Sequence, residues 1–413
     1  MTEVIKILIV FLAIVAGLRL SKSLPISVLA GAVLAAVLFR LGFLNTLGIA
    51  GRALVSPMTV TTVLAFYSIT FLQRMMETRG QLDLAQQALN GIFNNRRVNA
   101  SLAPVFIGML PSAGAVTICG AIVDKAAGDD LTVEEKTFVT SYFRHIPEAI
   151  LPTYSSILIG VQLSGQPMGS FLLWTLPLVV LLAALGYGFY LRKIPKETGQ
   201  PPSQDKKKDV LDLFKSFWTI LLTIVLIIAF ELPVYAAVAV SALVNVFVNR
   251  FGWEELRPLF RSAFELRLIL TTVCVMIFKD IVIATGIVNI LPGVLSGLPI
   301  PAFLTFFIIF FCGTVISGQQ SINVVGLPLA FATVPGAGVP LLVYLMATGY
   351  AAMQISPTHM CLAIVTEYFG VSMGALVRKT LPVIAVFCLM LTGYYLLLCA
   401  LLFALTWRIP VYH

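Results

Sequence analysis

Two short stretches carry most of the side chains able to do chemistry, and both lie where charged or amide groups are out of place. The first reads Arg144-His145-Ile146-Pro147-Glu148-Ala149-Ile150-Leu151-Pro152-Thr153-Tyr154-Ser155-Ser156. The second reads Gly349-Tyr350-Ala351-Ala352-Met353-Gln354-Ile355-Ser356-Pro357-Thr358-His359. Each lies within an otherwise apolar run, and each contains Pro-Thr. Proline removes a helical hydrogen bond and clashes with the preceding turn, so Pro152 and Pro357 are expected to split each run into two half-helices. The start of the second half-helix then offers unpaired N–H groups and a partial positive charge, which suits an anion. Thr153, Tyr154, Ser155, Thr358 and His359 are the candidate substrate contacts at these breaks.

His145 and Glu148 are three residues apart and would share a helix face. Ionisable groups at membrane depth are costly and default to a functional reading, so these two, with Ser156, are candidates for coupling-ion or proton handling. Arg144, His145 and Glu148 also read as a snorkelling ion-pair cluster at the edge of the span. The sequence leaves both readings open. His359 lies deeper and aligns with Tyr154, a position for substrate contact or proton handling.

A second pair of stretches precedes these. One is Leu110-Pro111-Ser112-Ala113-Gly114; the other is Ile316-Ser317-Gly318-Gln319-Gln320-Ser321-Ile322-Asn323. Small and amide residues in the middle of apolar runs free backbone groups, which membrane depth tolerates only inside protein or beside a wet cavity. We read two hairpins, with Pro111 as a helix breaker. Ser112, Ala113, Gly114, Ser317, Gly318, Gln319, Gln320 and Asn323 are substrate-contact candidates, and Ser321 a coupling-ion candidate. Ordinary kinked helices bonded across a bundle would not explain why the feature occurs twice at equivalent positions.

The elements that hold these residues follow from composition. The chain has 413 residues, 59% hydrophobic and 11% charged, whereas a soluble domain carries about a quarter charged residues. Lipid bilayer must replace the missing polar coat, and apolar runs of about twenty residues, enough to cross ~30 Å of hydrocarbon, recur throughout. The net charge of +8 sits in short clusters between those runs, the pattern of cytoplasmic loops rather than of a nucleic-acid surface. The cysteines show neither CxxC nor Cys/His metal-site spacing, so no metal or other cofactor is expected. Val4 to Leu18 has no cleavage site after it and reads as a retained helix rather than a signal peptide.

An offset of 205 aligns the chain with itself without a gap. It matches Phe106 with Phe311, Gly108 with Gly313, Ser112 with Ser317, Pro152-Thr153 with Pro357-Thr358, Gly165 with Gly370, and Thr175-Leu176-Pro177 with Thr380-Leu381-Pro382. Basic residues flank the first copy (Arg74, Arg79, Arg96, Arg97, then Arg192, Lys193, Lys196 and Lys206 to Lys208), while the equivalent stretches of the second are nearly bare. By the positive-inside rule the copies are inverted.

The expected fold is therefore all-α and polytopic, with about 10 transmembrane helices plus two re-entrant hairpins in two inverted-topology repeats. Repeat one, 1–192, holds scaffold helices 4–73, an arm 75–93, hairpin 100–124, broken helix 137–160 and helix 168–191. A cytoplasmic linker, 193–209, follows. Repeat two, 210–413, holds scaffold helices 210–284, an arm 286–297, hairpin 302–330, broken helix 339–369 and helix 374–406. Both termini fall outside, and Arg250 to Arg267 in a cytoplasmic loop. Thr132 and Glu135 are placed for a capping box at a helix start.

This plan resembles the ion transporter superfamily. Within it, Gly108 to Gly114, His145 to Tyr154 and Ser317 to Asn323 look most like the prokaryotic membrane proteins of domain-of-unknown-function family 401. The resemblance implies an elevator mechanism, a scaffold that forms a homodimer, and the cytoplasmic membrane of a prokaryote. The chain departs from the symporters' Ser-Asn-Thr hairpin signature, having Ser112-Ala113-Gly114 and Ser317-Gly318-Gln319, so dicarboxylate specificity and the usual sodium ligands do not carry over. The expected function is Na+- or H+-coupled transport of a small organic anion. The alternatives are a cation/proton antiporter, which would concentrate carboxylates at the midplane, and an intramembrane enzyme. No HExxH, GxSxG or paired-aspartate motif lies in a span, so no enzymatic activity is expected.

Overall fold

The computed structural model describes residues 2–406 apart from 22, 82–83, 85–87, 89–94, 110–113, 198–204, 288–298, 335–336 and 358. Its described residues form eighteen α-helices and three short 3-10 turns, without a strand. The first nine helices are α1 (Thr2–Ser21), α2 (Leu24–Leu38), α3 (Phe43–Leu54), α4 (Pro57–Thr78), α5 (Arg96–Gly108), α6 (Gly114–Ala127), α7 (Val133–His145), α8 (Ser155–Ser164) and α9 (Met168–Phe189). The next nine are α10 (Lys206–Ala229), α11 (Val234–Val248), α12 (Trp253–Ser262), α13 (Leu266–Ala284), α14 (Ala302–Ser317), α15 (Gln319–Thr333), α16 (Val339–Met353), α17 (Met360–Phe369) and α18 (Met373–Thr406).

Helices α9, α10 and α18 are each long and apolar enough to cross a membrane, and the bent pair α3–α4, angled by 46°, makes a fourth. The chain is thus an α-helical membrane protein. Six further apolar helices (α2, α8, α11, α14, α16 and α17) have 10–17 residues each. At 1.5 Å per residue these fall short of ~30 Å singly. In α7–α8 and α16–α17 the shortness comes from the break that the prolines dictate.

The helices sort by contact into two sets. In one, α1 packs on α2, α2 and α3 on α13, and α4 on α11, α12 and α13. In the other, α5 packs on α6 and α7, α8 on α15, α14 on α15 and α16, α17 on α6 and α7, and α18 on α7 and α16. The principal contacts between sets are α4 with α8, α1 with α14 and α13 with α15, besides the chain connection from α9 to α10. Close approach inside the second set depends on glycine. A Cβ at Gly108 on α5 would lie 1.9 Å from the Arg144 carbonyl oxygen on α7, so no other residue fits without moving backbone.

Helix starts recur at the register seen in the sequence. Gly114 and Gln319, Ser155 and Met360, and Met168 and Met373 each begin a helix and stand 205 residues apart. Helices α8 and α17 both end on a left-handed glycine, Gly165 at φ +68° and Gly370 at φ +66°. Arg40 and Arg250 are non-glycine residues with positive φ, +55° and +49°, each just after the second helix of its half.

Several boundaries differ from expectation. Helix α3 is a separate short helix within the stretch 4–73 read as scaffold helices, and α12 lies in the stretch read as a cytoplasmic loop. In α12 the apolar residues are interrupted by charge, Trp253, Leu256 and Phe260 alternating with Glu254, Glu255, Arg257 and Arg261, and α3 has only 12 residues, so both escape a search for long apolar runs. The arm expected at 75–93 begins inside α4, which runs to Thr78. Most of the rest of that arm and most of 286–297 lie outside the described residues. The capping box is present: Thr132 accepts from the Glu135 backbone N–H and Glu135 from that of Thr132.

Candidate functional site

Both predicted breaks are present. After α7 the chain makes a 3-10 turn, Ile146–Ala149, and leaves helical geometry until α8 starts at Ser155. After α16 it leaves the helix at Gln354 and resumes at Met360. The second hairpin turns at Gly318 with φ +84°, conformational space that favours glycine. Three helix starts thereby converge: α8 behind Tyr154, α15 behind Gly318 and α17 behind His359, and none has a side-chain cap. Side chains cap the helix starts at Ser56, Asn95, Thr132 and Asp205, while those behind Ser23, Gly42, Pro167, Pro233, Glu265, Pro301 and Gly338 also have none.

Between these starts lies a cavity of about 330 Å³ lined by Leu24, Glu148, Tyr154, Ser155, Ser156, Ser317, Gly318, Gln319, Gln320, Ser321, Met353, Ser356 and His359. Most of the predicted contacts thus share one wall. Asn323 is fully buried behind it, where its amide donates to the Ser156 carbonyl at 3.0 Å. Thr153 lines a second cavity of about 410 Å³ between the two helix sets, together with Gln73, Arg74, Glu77, Glu265, Tyr154 and Ser155. Gly114 is the first residue of α6. Pro152 is buried and Pro357 exposed at their breaks. Pro111, Ser112, Ala113 and Thr358 lie outside the described residues.

The hydroxyl groups have a defined polarity. Ser317 donates to the Gly313 carbonyl (2.8 Å), Ser321 to that of Ser317 (2.9 Å) and Ser356 to that of Val315 (2.9 Å). With their protons engaged on the backbone, these oxygens present lone pairs to the cavity. The helix starts present N–H donors. The cavity therefore offers donors that suit an anion and acceptors that suit a cation. The buried Asn323 side-chain oxygen has no hydrogen-bond partner among the described residues.

A buried polar network backs the cavity. Arg144 Nη1 lies 3.3 Å from Glu148 Oε1 and 3.6 Å from Cys361 Sγ. Tyr154 donates to the Gly108 carbonyl, which ties the first break to α5. His145 Nδ1 is 2.6 Å from the Ser141 carbonyl. A carbonyl only accepts, so Nδ1 carries the proton and the neutral ring has its lone pair on Nε2. His359 Nε2, at 2.9 Å, is then the donor. Arg144, His145 and Glu148 are all enclosed by protein, with side chains 2%, 1% and 10% exposed.

Sequence reasoning missed Met353, Ser356 and Cys361. The repeat register held the signal for two of them: Met353 is equivalent to Glu148, and Cys361 to Ser156. Carrying the offset of 205 through every position of the break would have found both.

A search of the curated proteins finds no match to this chain. A family model described as "Protein of unknown function (DUF401)" matches residues 4–399. With nearly the whole chain covered, the protein belongs to the DUF401 family.

Proposed function

We propose that the chain is a secondary active transporter that moves a small organic anion, coupled to Na+ or H+, by an elevator-type alternating-access mechanism. One observation carries this reading: three uncapped helix starts and a row of acceptor hydroxyls, drawn from both halves of the chain, meet at one open cavity. Each helix start favours an anion by about 0.3–1 kcal/mol at a surface and up to ~2 kcal/mol when partly buried. The acceptor oxygens of Ser317, Ser321 and Ser356 would receive the coupling cation, and Asn323 could lend its free oxygen. Broken helices whose ends converge in this way are a recurrent means of building a transport site.

The recurrence of helix starts at 205 residues, with the loop charges, supports two inverted-topology repeats. On that plan α1, α2, α4, α7–α8 and α9, with their counterparts in α10–α18, make ten crossings. The helix pairs α5–α6 and α14–α15 are re-entrant hairpins, α3 and α12 lie at the interface, and both termini are outside. The sparse contact between the two helix sets supports a moving block of α5–α9 and α14–α18 on a scaffold of the rest, which would form a homodimer in a prokaryotic cytoplasmic membrane. No chemical step is assigned, and the protein is read as a carrier rather than an enzyme.

A cation/proton antiporter is the second reading, favoured by the Glu148 carboxylate at the cavity with His359 beside it. Uptake of a panel of carboxylates into proteoliposomes, with and without sodium and proton gradients, separates the two. Gradient-driven uptake that falls in Ser317→Ala and Thr358→Ala is expected. If no carboxylate moves while a sodium gradient shifts internal pH, antiport replaces it. Unchanged uptake in both variants would remove the proposed site.

A further inference from the structure

The histidine pair has a third neighbour that the transport reading does not use. His145, His359 and Cys361 each offer a ligand atom, and the three atoms lie within 4.8 Å of one another. They come from the end of α7 and the start of α17, and the packing of these two helices brings them together. We propose that this cluster binds one divalent transition-metal ion of the zinc class, through the Nε2 atoms of His145 and His359 and the Cys361 thiolate. The inference goes beyond transport and does not depend on it.

The supporting geometry resembles that of a metal-bound histidine. His145 Nδ1–H is held by the Ser141 carbonyl at 2.6 Å, which fixes the tautomer and aims the Nε2 lone pair inward, as an outer partner does for a ligating imidazole. Metal bonds of about 2.0–2.1 Å to nitrogen and about 2.3 Å to sulfur, arranged tetrahedrally, hold the ligand atoms roughly 3.3–3.8 Å apart. The two Nε2 atoms, now 2.9 Å apart, must separate by less than about 1 Å to admit the ion. On entry the Cys361 thiol loses its proton, and the proton on His359 Nε2 is replaced by one on Nδ1. One proton is released per ion.

Charge decides which ions bind. Arg144 Nη1 stands 3.6 Å from Cys361 Sγ. It favours the thiolate but repels a cation, and Glu148, 3.3 Å from Arg144 and 3.9 Å from His145 Nε2, offsets that repulsion in part. A hard ion held by charge alone gains little here. An ion with strong bonds to nitrogen and sulfur is retained. Three protein ligands leave a fourth position, and one of the three, His359, lines the cavity together with Glu148.

The test uses the full chain purified in detergent, without a histidine tag, stripped by chelator and titrated with Co2+ under reducing, oxygen-free conditions. One Co2+ per chain is expected, with a thiolate-to-cobalt charge-transfer band. Zn2+ should displace it, and Mg2+ or Ca2+ should not. Cys361→Ser should abolish the band in a protein that remains monodisperse. His359→Gln and His145→Asn should each weaken binding by at least about tenfold, the lower bound for loss of even an outer-shell partner. Cys388→Ser should change nothing. Absence of Co2+ binding, or a charge-transfer band that survives Cys361→Ser, overturns the proposal. Because the readout is absorption of purified protein, it stands or falls separately from uptake.

Discussion

The breaks between α7 and α8 and between α16 and α17 share a backbone plan and differ in chemistry. Their helix restarts, left-handed glycines and prolines are equivalent, 205 residues apart. Yet Arg144 is matched by Gly349, His145 by Tyr350, Glu148 by Met353 and Tyr154 by His359. Two of these pairs, Glu148 with Met353 and Tyr154 with His359, line the same cavity. The first break carries the ion pair, and the second has at the equivalent position a close approach to the hairpin: a Cβ at Gly349 would lie 2.9 Å from the Gln319 side chain. A duplicated backbone can thus supply converging helix ends from both sides, while the side chains at equivalent positions specialise.

Breaking the ion pair is expected to have the largest effect. Arg144→Ala strands Glu148 in a buried site, a loss of about 3–5 kcal/mol for a broken buried pair, whereas Gly349→Ala at the equivalent position needs only a flexible side chain to move. Thermal unfolding in detergent should show a large drop for the first and a small one for the second, and the double variant Arg144→Ala/Glu148→Gln should recover much of the loss. Equal effects at 144 and 349 would break the comparison. Next come the matched glycines Gly108 and Gly313. A Cβ at 108 meets the Arg144 carbonyl oxygen at 1.9 Å, while at 313 it meets the end of Ile322 at 2.6 Å. Gly108→Ala should cost about 3 kcal/mol, the upper part of the usual range for overpacking, and Gly313→Ala about 1.

Tyr154→Phe sharpens the contrast between Tyr154 and His359. It leaves the Gly108 carbonyl without its donor and should cost about 1–3 kcal/mol while the cavity keeps its shape. The smallest effect is expected at an ion pair that is exposed rather than buried. Arg79 Nη1 and Nη2 meet the Glu255 carboxylate at 2.9 and 3.0 Å. Those hydrogen bonds, with the Gly252 N–H, hold the Glu255 pKa down to about 2. A depressed carboxylate stabilises above its unfolded pKa of about 4.3 and loses that contribution as pH falls toward 2. Glu255→Gln should therefore loosen α12 on α4 slightly at neutral pH, read by amide exchange, and match the parent chain near pH 2.

The register of 205, the Pro-Thr breaks and the hairpin turn at Gly318 were legible because glycine, proline and runs of small residues leave local marks. Helices α3 and α12 were not, since both are too short for a search for long apolar runs and α12 also mixes Glu and Arg with Trp and Phe. The place of Arg144, His145 and Glu148 stayed ambiguous in the sequence because burial depends on what packs over them. Only the packing of α17 on α7 brings Cys361 and His359 there. Ser356 carried no local mark, and its role depends on the position of the Val315 carbonyl across the cavity.

The contact between His145 and His359 spans 214 residues, and this has a bearing on biosynthesis. At about 5–20 residues per second, α7 waits roughly 10–40 seconds for α17 to be made. During that interval its charges have none of their later neighbours. Arg144 and Glu148, however, are four residues apart on the same chain segment and can neutralise each other as soon as they leave the ribosome. The pair then serves the nascent chain first, offsetting the charge of this segment long before α17 is made.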